Sequence, residues 1–197
     1  MLNDDTTIEI LSHMALEDLN TICMTNTTMQ KLCHRKEFWR YKFDVDGFNK
    51  PSWVDLAHFT IYDYKWLNFI IKVDYLEQDY ESLPNVSEVY IFTTTNLSLI
   101  YELLLKSGIK ISNKQQELKH KLDTKTILSI KNEVVAMKRD GILLYSIQFH
   151  ITIQGNFLVS QYFSCTRDQL NHFFYLCIQH HIIKLNKKYK LDNYSIF

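Results

Sequence analysis

The spacing of apolar side chains predicts that the N-terminal part of the chain is helical. Apolar residues recur at helical intervals in four short segments between residues 2 and 43, and polar clusters separate these segments. The run Thr6–Glu9 has the form of a capping box, which predicts a helix start there. A break at Ala15 and a second helix from Leu16 follow. The polar run Thr25–Thr28 then predicts a cap or turn, because these side chains compete for backbone hydrogen bonds.

A polar segment rich in turn-forming residues, Asp44–Pro51, predicts the first domain boundary. The residues that follow it, up to position 84, are rich in aromatic side chains. Their spacing predicts one helix over 53–60 and another over 64–73. We therefore expect segment 44–84 to be a helical bridge.

The pattern changes after Pro84 and predicts mixed helix and strand. Gly108 is a predicted stop for a helix that Asn96 caps. Alternating, β-branched and aromatic segments predict strands around two turns that contain Gly141 and Gly155. The predicted strands are 87–92, 109–111, 126–131, 134–138, 142–153 and 157–163. The other predicted helices are 113–122 and 166–186, and we expect a loose tail over 187–197.

These segments together predict an α+β fold class with three parts. Residues 1–43 form a helical module and residues 44–84 form the bridge. Residues 85–197 form an α+β module in which helices pack on an antiparallel-rich sheet. The apolar helix face predicted to point inward contains Leu170, Phe173, Phe174, Cys177, Ile178 and Ile182.

The charge balance argues against a general nucleic-acid binder. The chain has 22 basic and 22 acidic side chains, whereas phosphate recognition usually brings a basic excess. One basic cluster stands near the C-terminus, formed by Lys184, Lys187, Lys188 and Lys190 around Tyr189. It suits a nucleic-acid contact or a localisation signal, but a solvated helix end is the favoured interpretation, because cations stabilise that end of the helix dipole.

Cysteine usage and the N-terminal sequence predict an intracellular protein, cytoplasmic or nuclear. Four cysteines in 197 residues are too sparse for a disulfide scaffold, which favours a reducing compartment. The acidic start Met1–Asp5 lacks the apolar region of a secretory signal, and no apolar run reaches the roughly 20 residues that cross a bilayer. We expect no membrane association.

The N-terminal module resembles the F-box family, and five motif pieces in register carry the resemblance. They are Leu2–Asp5, Ile8–Met14, Leu16–Leu19, Met29–Leu32 and Phe38–Arg40. The family pattern opens with Leu-Pro, continues with a Glu-Ile-Leu helix and an Asp-Leu turn-helix, and closes with Leu-Trp. This chain departs from it in three places: Asn3 stands for Pro, Thr25-Asn26 for Val-Cys and Met29 for Trp.

The resemblance implies an adaptor that binds a Skp-type protein and, through it, a cullin. The remainder of the chain would then present an unknown protein target to a cullin-RING ubiquitin ligase. Short helices that bury little surface would gain by laying an apolar face on another protein. By resemblance, the docking or docking-support residues are Leu2, Ile8, Leu11, Leu19, Ile22 and Trp39.

Other interpretations of the same residues stay open at this stage. The six side chains suit the core of a helical bundle equally well. The module suits equally a protein that binds the Skp-type protein only to sequester it, without promoting ubiquitylation. A third possibility is an enzyme in the C-terminal module, with a pocket formed by groups such as His150, His172 or Cys165.

No motif predicts a catalytic, cofactor or metal site. Cys165 and Cys177 stand too far apart for a zinc knuckle, and the adjacent His180 and His181 point to different sides of a helix. Four widely spaced glycines cannot form a phosphate-binding loop. We therefore expect neither cofactor nor metal, and no enzymatic activity beyond that of a ligase with which the chain associates.

Overall fold

The structure, a computed structural model, describes residues 3–72, 86–87, 93–94, 96–123, 129–139, 142–153 and 156–182. The chain divides into two compact units, Met1–Lys72 and Val73–Phe197. The first is helical and the second combines helices with an antiparallel sheet, so the predicted α+β class is confirmed. The division between these units does not coincide with the predicted boundary after residue 43, because residues 44–72 belong to the first unit.

Five helices form the first unit: α1 (Asp4–Ser12), α2 (Leu16–Thr25), α3 (Thr27–Cys33), α4 (Lys36–Val45) and α5 (Ile61–Lys72). The start of α1 differs from the prediction at Thr6. Asn3 is the N-cap, and its side-chain oxygen accepts a hydrogen bond from the amide of Thr6 at 2.8 Å. The cap predicted over Thr25–Thr28 is confirmed, because the Asn26 side chain accepts from the amides of Thr28 and Met29.

An aromatic cluster forms the centre of the first unit. Trp39 lies edge-on to Phe59 and stacked on Tyr64, with ring centroids 5.1 and 5.5 Å apart. Phe43 contacts the same two rings as well as Phe48. Phe48, Phe59 and Tyr64 all come from the predicted bridge. Their contacts with Trp39 and Phe43 explain why residues 44–72 are part of this unit.

The helix predicted over residues 53–60 is absent, although three of its apolar residues are buried. Val54, Leu56 and Phe59 are enclosed, and the backbone between them turns instead of winding. Local side-chain hydrogen bonds compete with the helix. Asp55 accepts from the amide of Ala57 at 3.0 Å, and the amide and hydroxyl of Thr60 donate to Asp63 at the start of α5.

A buried lysine joins three parts of the first unit. The Nζ atom of Lys42 on α4 donates to the carbonyl of Met14 and to Oδ1 of Asp46, both at 2.9 Å. The hydroxyl of Tyr64 on α5 donates to the other carboxylate oxygen of Asp46. Burial, followed by the Asp46 carboxylate, raises the pKa of Tyr64 far above its usual value, so this hydroxyl remains a donor.

The second unit contains helices α6 (Leu97–Lys106), α7 (Asn113–Asp123) and α8 (Arg167–Gln179). Its sheet is formed by β1 (Val86–Ser87), β2 (Thr93–Thr94), β3 (Ser129–Arg139), β4 (Ile142–Ile153) and β5 (Asn156–Cys165). All pairings are antiparallel, with β4 and the two short strands on opposite sides of β3, and β5 beside β4. A register shift between Ile151 and Thr152 interrupts the pairing of β4 with β5.

Several predicted boundaries of the second unit are confirmed and others are wrong. Asn96 caps α6, and Gly108 follows it with a φ of 78°, a conformation that favours glycine. The strand predicted over 109–111 is absent, and the two strands predicted over 126–138 are one strand, β3. Helix α8 ends at Gln179 instead of Asn186, and the predicted loose tail lies outside the described residues.

One face of the sheet carries the core of the second unit. Tyr145, Phe149 and Ile151 of β4 are buried there, together with Phe163 of β5. Phe149 contacts Phe163 and Phe173, with ring centroids 5.3 and 6.2 Å apart. The inward residues predicted for α8 are all buried, as is Ile182 beyond its end.

Helix α7 reaches the outer strand of this sheet. The side-chain amide of Gln115 donates to the carbonyl of Tyr162 on β5 at 2.7 Å. The hydroxyl of Tyr101 on α6 donates to the backbone carbonyl of Gln115 at 3.0 Å. It is also hydrogen-bonded to the side-chain oxygen of Gln161. These bonds fix α7 beside the edge of β5 that does not pair with β4.

We predict that Lys42→Met destabilises the first unit by about 1–3 kcal/mol, because it leaves the Met14 carbonyl and the Asp46 carboxylate without their charged donor. Urea unfolding followed by tryptophan fluorescence measures this change, because all three tryptophans, Trp39, Trp53 and Trp66, lie in the first unit. Lys65→Met, at an exposed position of α5, is the control and should change stability by less than about 0.5 kcal/mol. An equal effect of both substitutions would contradict the role given to Lys42.

Candidate functional site

The side chains predicted to dock on a partner lie mainly in the interior of the first unit. Ile8, Leu11, Leu19 and Trp39 are buried, and Ile22 is half-buried. Leu2 lies outside the described residues. The structure thus brings four of the predicted residues together, but as core.

The burial of these four residues corrects the interpretation that they form an open docking face. Helices α1 and α4 pack on each other, and α5 covers part of α2. Trp39 is enclosed by rings from residues 59 and 64, which a reading of residues 2–43 alone could not include. It remains a prediction that these buried side chains support a docking surface by packing beneath the residues that form it.

Other large apolar side chains of the first unit are exposed to solvent. They are Ile10, Met24, Tyr41, Val45 and Tyr62. On α4, Tyr41 is 50% exposed and Val45 is 38% exposed. Because they are four residues apart, they lie one above the other on α4, and Tyr41 points away from the buried Trp39 and Phe43. We call this pair the α4 outer stripe. The sequence predictions missed this pair, because apolar spacing does not show which aromatic and aliphatic residues of α4 are exposed.

Two departures from the F-box pattern have a structural explanation. Asn3 and Asn26 each cap a helix through a side-chain oxygen, a bond that neither Pro nor Cys could supply in the same way. Met29, the third departure, is half-buried on α3. A flexible Met can fill part of the space of an aromatic ring. The substitutions therefore fall at two helix caps and at one partly buried position of this unit.

A disulfide joins Cys23 on α2 to Cys33 on α3. We predicted no disulfide between these cysteines, because the expected reducing compartment favours free thiols. Both residues are buried, and nine residues separate them along the chain. The signal that could have revealed the pair is their shared position on the buried faces of two consecutive helices.

The groups considered for an enzyme in the second unit do not converge. His150 alternates with the buried residues of β4 and faces the opposite side of the sheet from Cys165, which shares the face of Tyr145. The Nδ1 atom of His150 lies 2.7 Å from the hydroxyl of Ser160 across the strand pair. His172 lies on α8, which packs against the core face. These positions do not form one pocket.

The two free thiols of the second unit are held in their protonated form. Burial raises the pKa of Cys165 to about 12 and raises that of Cys177 well above its usual value. A thiolate is the reactive form, so neither cysteine is poised as a nucleophile. Within the described part of the chain, no group of three or more His, Cys, Asp or Glu side chains is arranged to hold a metal ion.

No protein-family model, curated protein or solved structure matches this chain. Among the helices that the structure describes, none combines the length and apolar character needed to span a bilayer. The basic cluster at residues 184–190 lies outside the described residues. We take the α4 outer stripe as the candidate functional site, because two large apolar side chains are exposed there in adjacent turns of one helix.

We predict that Trp39→Ala acts on folding instead of on a binding surface. Removing this buried indole should destabilise the first unit by about 3–5 kcal/mol, because a large cavity remains among the surrounding rings. Urea unfolding followed by the fluorescence of Trp53 and Trp66 measures the loss. Ile22→Ala, at a half-buried position, is the comparison and should cost about 1 kcal/mol. Near-native stability of Trp39→Ala would show that the side chain is not part of the core.

We also predict an acid sensitivity of the second unit that depends on His172. Burial, opposed by the nearby Asp168, lowers the pKa of His172 below the usual 6.5. The unfolded chain therefore binds a proton more readily than the folded one. The free energy of unfolding should decrease as the pH falls below about 6.5, the usual pKa of histidine, towards the lower pKa that His172 has in the folded protein.

Amide hydrogen exchange of the β4 peptides at pH values between 7.5 and 5.5, corrected for intrinsic exchange rates, measures this dependence. His172→Gln should weaken it. His120→Gln, which changes an exposed histidine of α7, is the control and should retain the wild-type dependence. An unchanged dependence in His172→Gln would exclude His172 as its source.

Proposed function

We propose that this protein is a non-enzymatic adaptor whose first unit is an F-box-like module. In this proposal the module binds a Skp-type protein and, through it, a cullin. The second unit recruits a protein target to the resulting ubiquitin ligase. The proposal rests on the F-box-like sequence pattern together with the helical arrangement on which that pattern falls.

The agreement between motif pieces and helices is the observation that carries the proposal. The Ile8–Met14 piece begins on α1, the Leu16–Leu19 piece opens α2, Met29–Leu32 lies on α3 and Phe38–Arg40 on α4. Each of the four pieces contributes at least one buried apolar side chain to one helical unit. A family pattern that specifies the core of a module fits this distribution, because core positions tolerate few polar substitutions.

Because most of the apolar side chains in the motif pieces are buried, direct partner contacts must come from exposed side chains of the unit. The α4 outer stripe supplies a tyrosine and a valine in adjacent turns, and exposed Glu37 lies one further turn towards the start of the helix. Tyrosines are common anchors of protein interfaces, since the ring buries area and the hydroxyl keeps a hydrogen bond. We therefore assign the Skp-type contact to this stripe.

The second unit suits a separate recruiting role in this proposal. It has its own sheet-and-helix core, so its outer surface can vary without affecting the helical unit. Leu158 and Tyr162 are exposed on β5, at 42% and 56%. No described feature specifies the chemistry of the target.

We predict that the double substitution Tyr41→Ser/Val45→Ser weakens binding of the full-length protein to a purified Skp-type adaptor at least tenfold. Loss of two buried contacts of this size corresponds to about 1.4 kcal/mol or more. Isothermal titration calorimetry measures the affinity, and circular dichroism checks that the variant folds.

The matched control is Leu158→Ser/Tyr162→Ser, which removes one aliphatic and one tyrosine side chain of similar exposure from the second unit. It should bind the adaptor as the wild type does. Equal losses in both variants would contradict the assignment to α4. Absence of wild-type binding at micromolar concentration would overturn the F-box proposal itself.

Addition of a cullin to the adaptor complex distinguishes the two versions of this function. A ligase subunit should remain bound when the cullin joins and should promote loss of a target. A protein that sequesters the adaptor should bind it and exclude the cullin or leave target levels unchanged. Size-exclusion chromatography of the three proteins shows whether the cullin joins the complex, and target levels in cells show whether the target is lost.

A further inference from the structure

Helix α3 is held in the first unit by very few buried side chains. It has seven residues, of which only Leu32 and Cys33 are buried, while Met29 is half-buried. Helices of this length are not stable in water without tertiary contacts. The bond from Cys33 to Cys23 on α2 is therefore one of the main attachments of α3.

The other helices of the unit do not depend on this bond in the same way. Trp39, Phe43 and Tyr64 join α4 to α5, and Lys42 ties α4 to the chain after α1. Helix α2 keeps the fully buried Leu19 and its contact with α5. Breaking the disulfide should accordingly affect α3 more than the rest of the unit.

We propose that the Cys23–Cys33 disulfide is a redox switch that controls the order of α3. In the oxidised state α3 is fixed on α2. In the dithiol state α3 opens frequently, while the aromatic core of the unit stays folded. This inference does not rest on the adaptor proposal, because it concerns only contacts within the first unit.

The switch requires a dithiol reductant and a disulfide oxidant. A thiolate of the reductant attacks one sulfur of the Cys23–Cys33 bond and forms a mixed disulfide, and the second cysteine leaves as a thiolate. The other thiolate of the reductant then breaks the mixed disulfide. The protein has gained two electrons and, after protonation, two protons, and the reductant leaves as its own disulfide. A glutathione disulfide reverses the change and leaves as two glutathione thiols.

Hydrogen exchange of the full-length protein tests the switch, with dithiothreitol as the reductant. We expect the amides of residues 29–34 to exchange at least tenfold faster after reduction and to recover after addition of glutathione disulfide. Fluorescence of Trp39, Trp53 and Trp66 should remain unchanged, since these residues report on the rest of the unit. Cys165 and Cys177 are thiols in both states, so their redox state does not contribute to the difference.

The variant Cys23→Ala/Cys33→Ala provides the second arm. Its α3 amides should exchange as fast as those of the reduced wild type, and dithiothreitol should have no further effect on them. Three outcomes would overturn the proposal: unchanged α3 exchange in the reduced wild type, loss of the tryptophan signal on reduction, or a variant that still responds to dithiothreitol. If the variant fails to fold while the reduced wild type keeps its fluorescence and loses α3 protection, the reversible wild-type experiment still supports the switch.

Discussion

The first unit depends on a lysine whose charge is enclosed. An ammonium group removed from water is costly unless oxygen atoms surround it, and here a carbonyl and a carboxylate do so. The carboxylate of Asp46 also receives the hydroxyl of Tyr64, so one set of hydrogen bonds fixes the end of α4, the start of α2 and helix α5. The aromatic rings pack in the space between the segments that these hydrogen bonds join. Segment 44–72 is therefore part of the module and not a connection to the next.

The burial of the motif side chains changes how the resemblance relates to function. A pattern of Ile, Leu and Trp positions describes which helices can pack together, and this part of it agrees with the four consecutive helices. It does not specify which side chains a partner touches. Under the proposed function those are Tyr41 and Val45, which lie outside the motif pieces, so helix packing and partner specificity would be encoded by different residues.

The sequence predicted helices better than it predicted packing. Periodicity found α2, α5, α6, α7 and the strand β4, and the Asn96 cap and Gly108 stop were correct, because these signals are local. The turn over residues 53–60 was missed, since hydrogen bonds from Asp55 and Thr60 outweigh an apolar spacing that also suits a helix. The disulfide and the enclosure of Trp39 were missed because both depend on contacts between segments, which periodicity does not report.

The hydrogen bond from Gln115 to the Tyr162 carbonyl has a consequence for self-association. Strand β5 forms one side of the sheet, and backbone groups on such a strand can recruit further strands from other molecules. The side-chain amide of Gln115 occupies one of these acceptors. It therefore leaves one backbone acceptor fewer on β5 for a strand from another molecule.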